Sequence, residues 1–286
     1  MKKILVTGAN GQLGQCLQKI SSQFEEFEFI FTDSETLDIT NKEEVNDFFW
    51  QNAPDFCINA AAYTAVDLAE TDIEKAFLVN ADGAENLAEA CAENNAQFIH
   101  VSTDYVFDGE NNLSYTEEDF TNPLGVYGAS KLAGDELALE VNPCSVILRT
   151  SWVYSEFGKN FVKTMLNLFA TKNELNIVAD QFGQPTNAND LAEAIMKIIK
   201  SEKITPEIFN FSNLGRISWF DYAEKIAELS EAKIKLNAIE TSQYPTPAKR
   251  PKNSVLDLDK ISKTYGIQLK PWEESLEGCV QILQNN

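Results

Sequence analysis

Three glycines near the N terminus constrain the fold more than any other feature of the sequence. Gly8, Gly11 and Gly14 follow a short apolar run at residues 3–7 and lead into a helical spacing of apolar residues at 13–20. Gly8 permits a tight turn, Gly11 lets a pyrophosphate approach the backbone, and Gly14 lets the helix pack on the strand. Strand, glycine turn and helix in this order predict a dinucleotide-binding site.

Strand-like and helix-like segments alternate through the first 150 residues. Strand-like runs lie at 27–32, 56–61, 98–102 and 145–149, and helical spacing occurs at 45–52, at 76–91 and from residue 127 onward. This alternation predicts an α/β fold, a Rossmann-like doubly wound parallel sheet with helices on both faces. Ligands of such a sheet bind beyond the carboxyl ends of its strands.

The pattern changes after residue 150. Helical spacing occurs at 160–170, 188–200, 219–230 and 272–283, with turn-rich loops between. We predict a dinucleotide-binding domain of residues 1–150, to which 177–205 return, and a smaller, mostly helical substrate-binding domain. That second domain comprises residues 151–176 and 206–286.

Composition excludes several classes of partner. The 286 residues include 23 Lys and Arg against 44 Asp and Glu, a formal net charge of −21. Such an acidic chain is not expected to bind nucleic acid or an anionic membrane. The five cysteines are scattered and His100 is the one histidine, so a histidine-rich metal site is excluded and no metal is expected. No apolar run approaches the length of about 18 residues that a spanning helix needs, and we expect a cytoplasmic protein.

A tyrosine and a lysine four residues apart indicate acid–base chemistry. On a helix, Tyr127 and Lys131 project from one face. Free tyrosine has a pKa of about 10, and a neighbouring ammonium is expected to lower it towards working pH. Ser102 and Thr103 end a predicted strand, where a hydroxyl can hold a carbonyl oxygen. Because a lone YxxxK is frequent by chance, the prediction depends on its combination with the glycine turn.

The predicted second strand ends in an acid. Asp33 lies about 20 residues after Gly14, where a carboxylate can bind the adenosine ribose. An acid at this position favours NAD over NADP, and no arginine stands beside it to pair a 2′-phosphate. A solvated turn residue is the alternative, so NADPH and NADH both stay open as the cofactor.

At these residues the sequence resembles the extended short-chain dehydrogenase/reductase superfamily, and within it the reductases of dTDP-linked 4-keto-6-deoxy sugars. The resemblance covers nearly the whole chain. Its most specific strings are TGANGQLG at 7–14, NAAAYTAVDLAE at 59–70, VSTDYVFDG at 101–109, YGASK at 127–131, RTSWVY at 149–154, DQFGQPT at 180–186 and RPKNSVL at 250–256.

The resemblance implies an oxidoreductase of nucleotide-sugar biosynthesis. NADPH or NADH would reduce the C4 keto group of dTDP-4-dehydro-β-L-rhamnose to dTDP-β-L-rhamnose, a precursor of cell-surface polysaccharide, without metal chemistry. Alternatives are another nucleotide-sugar reductase or epimerase of the superfamily, or a non-catalytic NADP-binding regulatory subunit. A homodimer is left open, but Gln15 stands where some relatives place a glutamate that binds a bridging magnesium ion, so a metal-bridged dimer is not expected.

The resemblance also implies roles for individual residues. Tyr127 would donate the proton, Lys131 would lower its pKa and hold the nicotinamide ribose, and Thr103 would bind the substrate carbonyl. Asp104 and Trp152 would contact the sugar. Together with Tyr127 and Lys131, the cofactor-binding residues would be Gly8, Gly11, Gln12, Leu13, Gly14, Asp33, Asp38, Ile39, Ala62, Tyr63 and Thr64.

Four further residues have two interpretations each. Arg250 lies in the densest basic cluster of the chain and could grip the substrate's diphosphate, or the cluster could be a solvated loop. His100 is predicted to be structural, with catalysis as the alternative. Asn80 could hydrogen-bond the backbone or help to order the site, and Trp152 could contact the sugar or seal the junction between the two domains.

Overall fold

The structure, a computed structural model, describes residues 1–285 and begins with alternating strands and helices. These are β1 (Lys2–Thr7), α1 (Gln12–Ser21), β2 (Phe27–Phe31), α2 (Lys42–Asn52), β3 (Phe56–Asn59), α3 (Val66–Ala69), α4 (Ile73–Phe77), α5 (Gly83–Glu93), β4 (Gln97–Thr103), α6 (Val126–Val141) and β5 (Val146–Thr150). A π-helical turn, Leu78–Asp82, joins α4 to α5, and a 3₁₀ turn, Asp104–Val106, follows β4.

Shorter strands accompany the helices of the second half. The elements are β6 (Val153–Tyr154), α7 (Phe161–Phe169), β7 (Glu174–Val178), β8 (Phe182–Gly183), β9 (Thr186–Asn187), α8 (Ala188–Ile199), β10 (Ile208–Asn210), β11 (Ile217–Ser218), α9 (Trp219–Leu229), β12 (Lys235–Ile239), α10 (Asp259–Tyr265) and α11 (Trp272–Asn285). A 3₁₀ turn, Thr241–Gln243, follows β12.

Six strands form one parallel sheet in the order β10-β5-β4-β3-β1-β2. The strand order reverses at β1, which pairs with β2 on one side and with β3 on the other. Such a reversal opens a crevice at the carboxyl ends of the strands, where ligands of doubly wound sheets bind. The predicted doubly wound parallel sheet is therefore confirmed.

Apolar side chains cover both faces of this sheet. Along β1, Ile4 and Val6 pack in a cluster with α1 and α8, whereas Leu5 packs with α2 and α5 on the opposite face. Successive strand residues point to opposite faces, so a continuous apolar run is the pattern of a strand that is buried on both sides. A separate apolar cluster joins α7, α9 and α11.

The main sheet extends into the C-terminal part of the chain. β10 pairs in parallel with β5, and Ile261 and Tyr265 of α10 belong to the same apolar cluster as α1 and α8. The sequence-based division placed all of 206–286 in the substrate-binding part. Three residues are too few to show a strand periodicity, so the sequence carries no signal for β10.

Candidate active site

The glycine turn brings β1, α1 and the end of β3 into close contact. Gly8 has φ of +68°, and a Cβ atom there would lie 2.6 Å from the amide nitrogen of Ala61. A Cβ atom on Gly14 would collide with the carbonyl oxygen of Gly8 and with Ala9. The N-cap residue Gly11 offers no side-chain cap, and the first turn of α1 contains no acid. The backbone N–H groups at this helix end are therefore suited to an anion.

A cavity of about 990 Å³ opens over the glycine turn and the carboxyl ends of the strands. It brings together most of the residues that the sequence indicated. Those that line it are Gly8, Gly11, Gln12, Leu13, Asp33, Asp38, Ile39, Ala62, Thr64, Thr103, Asp104, Tyr127, Lys131 and Trp152.

Gly14, Tyr63 and Arg250 are not among the lining residues. Gly14 is used for helix packing, as described above. The Tyr63 hydroxyl lies 3.2 Å from an Asp72 carboxylate oxygen, and its backbone N–H donates to Asn80 Oδ1 at 2.8 Å. Asn80 also donates to the carbonyl of Tyr63 at 3.1 Å and to Ser130 at 3.0 Å. It therefore connects the loop after β3 to the helix that bears Tyr127.

Arg250 is held by a carboxylate beside the cavity. Its guanidinium donates to both oxygens of Asp67, at 3.1 and 2.9 Å, and these hydrogen bonds lower the pKa of Asp67. The following Pro251 packs against Gly109, where φ is +79° and a Cβ atom would lie 2.5 Å from the proline ring. The basic loop, residues 249–252, is thereby ordered against the end of the VFDG string at 106–109. A phosphate would have to compete with Asp67 for Arg250.

Tyr127 and Lys131 occupy successive turns of α6; Lys131 is buried and Tyr127 is half-buried. Burial raises the pKa of Tyr127 to about 12, and a hydrogen bond with the Thr103 hydroxyl acts in the opposite direction. Burial lowers the pKa of Lys131 to about 8. The predicted lowering of the tyrosine pKa is therefore not observed, because desolvation of the phenolate is the largest effect.

Asp104 faces the same cavity. Burial raises its pKa to about 6, while hydrogen bonds from Ser254 and Thr103 act against this rise. Its Oδ1 accepts from the Thr103 hydroxyl at 3.1 Å, and its Oδ2 is buried without a protein partner. An unpartnered carboxylate oxygen in a cavity is suited to accept a hydrogen bond from a ligand hydroxyl.

Two stacked indoles form one wall. The Trp152 and Trp219 rings lie 3.5 Å apart between centroids, and their planes are within 9° of parallel. Trp152 has φ of +45°, uncommon for a residue other than glycine, and its indole contacts Gly183, where a Cβ atom would lie 2.5 Å away. Sequence reasoning missed Trp219. Its position directly after Ser218, which forms a capping box with Asp221 at the start of α9, was the available signal.

The glycine turn is tied to the second half of the chain through Gln12. Its Oε1 accepts from Asn160 Nδ2 at 2.8 Å, and its Nε2 donates to the carbonyl of Val153 at 3.3 Å. Lys159, next to Asn160, lines the cavity and was also missed. A single exposed lysine carries no sequence signal, and only the fold places it near the glycine turn.

A doubly wound sheet with a glycine turn at its crevice, and with a tyrosine, a lysine and a strand-end threonine in one cavity, defines a nucleotide-dependent reductase of the short-chain dehydrogenase/reductase type. The chain belongs to the RmlD substrate binding domain family, since the family model matches residues 1–285.

Named relatives match the chain over almost its full length. A dTDP-4-dehydrorhamnose reductase of Aggregatibacter actinomycetemcomitans is 45% identical, with 97% of this chain and 98% of the relative covered. The crystal structure of a dTDP-4-dehydrorhamnose reductase from Clostridium acetobutylicum is 43% identical and superposes with a TM-score of 0.95, covering 99% of each chain. A Bacillus anthracis dTDP-4-dehydrorhamnose reductase in complex with NADP is 38% identical, with a TM-score of 0.94 over 99% of this chain and 100% of that one.

Proposed function

We propose that this chain is an NAD(P)H-dependent oxidoreductase that reduces the C4 keto group of dTDP-4-dehydro-β-L-rhamnose to dTDP-β-L-rhamnose. The observation that carries the proposal is the meeting of Tyr127, Lys131 and Thr103 in the cavity that begins at the glycine turn. The named relatives support the choice of substrate, because they match the chain from end to end.

The residues of the cavity fit a nicotinamide dinucleotide. The uncapped N terminus of α1 would hold the pyrophosphate at Gly11, Gln12 and Leu13. Its backbone N–H groups can bind an anion although they carry no formal charge. The adenosine would lie against Asp33, Asp38 and Ile39, and the nicotinamide half against Ala62 and Thr64. When bound, the reduced cofactor supplies the hydride.

Three side chains of the protein would deliver the proton that the reduction requires and stabilise the oxygen that receives it. Tyr127 would donate its hydroxyl proton to the sugar O4 while C4 receives the hydride, so the carbonyl becomes a secondary alcohol. Thr103 would hold the same oxygen, which is consistent with its hydrogen bond to Tyr127. Lys131 would hold the nicotinamide ribose and stabilise the phenolate that remains.

The sugar nucleotide would enter from the side of the aromatic wall. Trp152 would pack on the sugar, and Asp104 would accept a hydrogen bond from one of its hydroxyls through the unpartnered Oδ2. Arg250 would bind the diphosphate after exchanging Asp67 for a phosphate, to which a guanidinium can bind through two N–H groups.

We also propose which part of the chain binds each ligand and where the protein is located in the cell. Residues 1–150 with 177–205 would bind the cofactor, and 151–176 with 206–286, apart from β10, would bind the sugar nucleotide. Among residues 1–285, no helix is long and apolar enough to span a membrane. We propose a cytoplasmic enzyme; a homodimer stays a prediction that sedimentation would test.

The decisive assay combines cofactor oxidation with product identification. NADH or NADPH oxidation is followed with dTDP-4-dehydro-β-L-rhamnose, and the product sugar is identified by NMR. We expect one cofactor oxidised for each dTDP-β-L-rhamnose formed. Epimerised sugar without net oxidation would indicate an epimerase. Cofactor binding with no turnover, together with co-purification of a second chain, would indicate a regulatory subunit.

A further inference from the structure

The acid–base face of α6 continues one turn beyond the lysine. Asp135 follows Lys131 by four residues, as Lys131 follows Tyr127, so the three side chains line one face of the helix. Against this face lies His100 of β4, the only histidine of the chain. His100, Lys131 and Asp135 are each at most 1% exposed. Neither His100 nor Asp135 has a role in the reduction proposed above.

The position of the His100 ring proton follows from its neighbour Asn59. The Oδ1 of Asn59 accepts from the backbone N–H of Ala61 at 3.1 Å, and from the Thr7 hydroxyl at 2.8 Å. A backbone N–H can only donate, which fixes the orientation of the amide. The amide nitrogen of Asn59 must then face Nδ1 of His100, which is 3.0 Å away. Nδ1 is therefore the acceptor, and a neutral ring carries its proton on Nε2.

Nε2 of His100 faces two groups. Lys131 Nζ lies 3.0 Å away, and Asp135 Oδ1, which has no hydrogen-bond partner, lies 3.8 Å away. Lys131 Nζ also donates to the carbonyl of Val101 at 2.8 Å. An ammonium can only donate hydrogen bonds. When Lys131 is charged, its N–H groups therefore face the Nε2–H of His100, which is also a donor, and no hydrogen bond can form between them. A neutral amine satisfies the contact, because its lone pair accepts from Nε2–H.

The other charged groups around this contact do not remove the mismatch. Asp135 is shared with Arg149, whose Nε lies 3.4 Å from Oδ2, and with the Ser102 hydroxyl at 2.8 Å. Asp135 favours the ammonium form of Lys131 and raises its pKa, but burial lowers that pKa to about 8. Burial and the nearby Lys131 hold the pKa of His100 well below its usual value, so the ring stays neutral.

We propose that His100 is a positioning residue for the reduction, which presents Nε2–H to Lys131 Nζ and so allows this buried lysine to exist in both its neutral and its charged form. The carboxylate of Asp135 acts in the opposite direction, because its negative charge favours the ammonium form of Lys131. The proposal rests on the proposed function only for its role in turnover, since the arrangement of the hydrogen bonds is independent of the substrate.

This arrangement gives Lys131 a second task. After each reduction Tyr127 would be left as a phenolate in a half-buried position, where desolvation disfavours its charge. In this proposal the ammonium of Lys131 gives a proton to water in the cavity that both residues line, and the phenolate oxygen takes a proton from that water. The tyrosine O–H bond is thereby restored, and an amine is left that accepts from His100. Lys131 lines the cavity, from which it would regain its proton once the product leaves.

The single histidine makes a direct test available. With ¹⁵N-histidine labelling, the wild-type chain gives one imidazole, whose two nitrogen shifts report the tautomer. We expect a protonated Nε2 and an unprotonated Nδ1 from pH 5 to 9, with a step in both shifts near pH 8 that is absent in Lys131→Met. A proton on Nδ1, or a charged ring at pH 6, would overturn the proposal whether or not the chain is a reductase.

A pair of variants tests the kinetic role. His100→Gln places an amide oxygen near the position of Nε2, which accepts from the ammonium, whereas Asp135→Asn removes the negative charge that favours the ammonium. In the pH profile of kcat/KM for reduction, we expect the alkaline limb to move up by about one pH unit in His100→Gln and down in Asp135→Asn. If thermal stability falls in both variants while neither limb moves, His100 is structural and the proposal is wrong.

Discussion

At the residue scale, we expect Asp33 to determine how the adenosine end of the cavity discriminates between cofactors. The Oδ1 of Asp33 accepts from the backbone N–H groups of Glu35 and Thr36. Hydrogen bonds lower the pKa of Asp33, and the one from the Thr36 hydroxyl has the largest effect. Glu35 and Asp38 also line this end. A 2′-phosphate would therefore meet three acidic side chains, which disfavours NADPH relative to NADH.

We expect kcat/KM to be higher with NADH than with NADPH. Replacing Asp33 by Asn should move the ratio towards NADPH by roughly tenfold, since one carboxylate facing the 2′-phosphate is lost. Glu273→Gln, on the exposed side of α11, changes the net charge equally and serves as the control. An unchanged cofactor ratio in Asp33→Asn would show that this carboxylate does not face the ribose.

A second prediction at the residue scale concerns Arg250 and the KM for the dTDP-sugar. Arg250 is paired with Asp67 and does not line the cavity. If the pair opens to bind the diphosphate, Arg250→Ala should raise KM for the dTDP-sugar about tenfold and leave kcat nearly unchanged. Lys252→Ala, an exposed lysine of the same loop, should have little effect. Equal KM values for the two variants would make the loop a structural feature alone.

At the element scale, the position of α6 depends on glycines that face other backbone segments. A Cβ atom on Gly134 would collide with the carbonyl oxygen of Asn80 in the π-helical turn, whereas one on Gly278 of α11 would meet nothing within 4 Å. The contrast gives two alanine substitutions in helices with opposite expected effects, because only one site is filled by a neighbour.

Gly134→Ala should lower the free energy of unfolding by about 1–3 kcal/mol, since the helix must move away from Asn80. Gly278→Ala should be neutral or stabilise by up to about 1 kcal/mol, because alanine favours an exposed helix interior. Urea unfolding monitored by circular dichroism measures both. A Gly134→Ala chain as stable as Gly278→Ala would contradict the close approach of α6 to the π-helical turn.

The sequence predicted the long elements of the sheet domain and missed the short ones. β1, the glycine turn, α1 and α6 carry periodicity or glycine spacing, both of which are local signals. β10 and the two-residue strands have no such signal and exist only because their neighbours offer partners. The same limit applies to side chains: the Tyr127 and Lys131 pair is a spacing along one helix, but the partners of Arg250 and Tyr63 and the stacking of Trp152 on Trp219 depend on tertiary packing.

At the scale of the whole molecule, the net charge of −21 opposes both folding and the binding of anionic ligands. Of the residues that line the cavity, Lys131 and Lys159 are the cationic ones, and α1 adds backbone N–H groups. The cavity also holds Asp33, Glu35, Asp38 and Asp104, so the local exceptions to the acidic field are these two lysines and the N terminus of α1 rather than the cavity as a whole.

Screening this excess charge should stabilise the protein. We expect the melting temperature to rise when NaCl increases from about 10 to 150 mM, because the Debye length falls from roughly 30 to 8 Å. Sucrose at matched osmolality controls for general exclusion effects. A melting temperature that falls with salt would mean that ion pairs, rather than mutual repulsion of the acidic groups, dominate the stability.

The most direct test of the proposed reaction is the steady-state rate of NADH and NADPH oxidation with dTDP-4-dehydro-β-L-rhamnose, measured in the wild type and in Tyr127→Phe. Removing one hydroxyl from this half-buried ring should leave the fold and cofactor binding intact and lower kcat by roughly a hundredfold to ten-thousandfold, because the proton donor is lost. Wild-type turnover no faster than that of Tyr127→Phe would contradict the assignment of the reaction to this cavity.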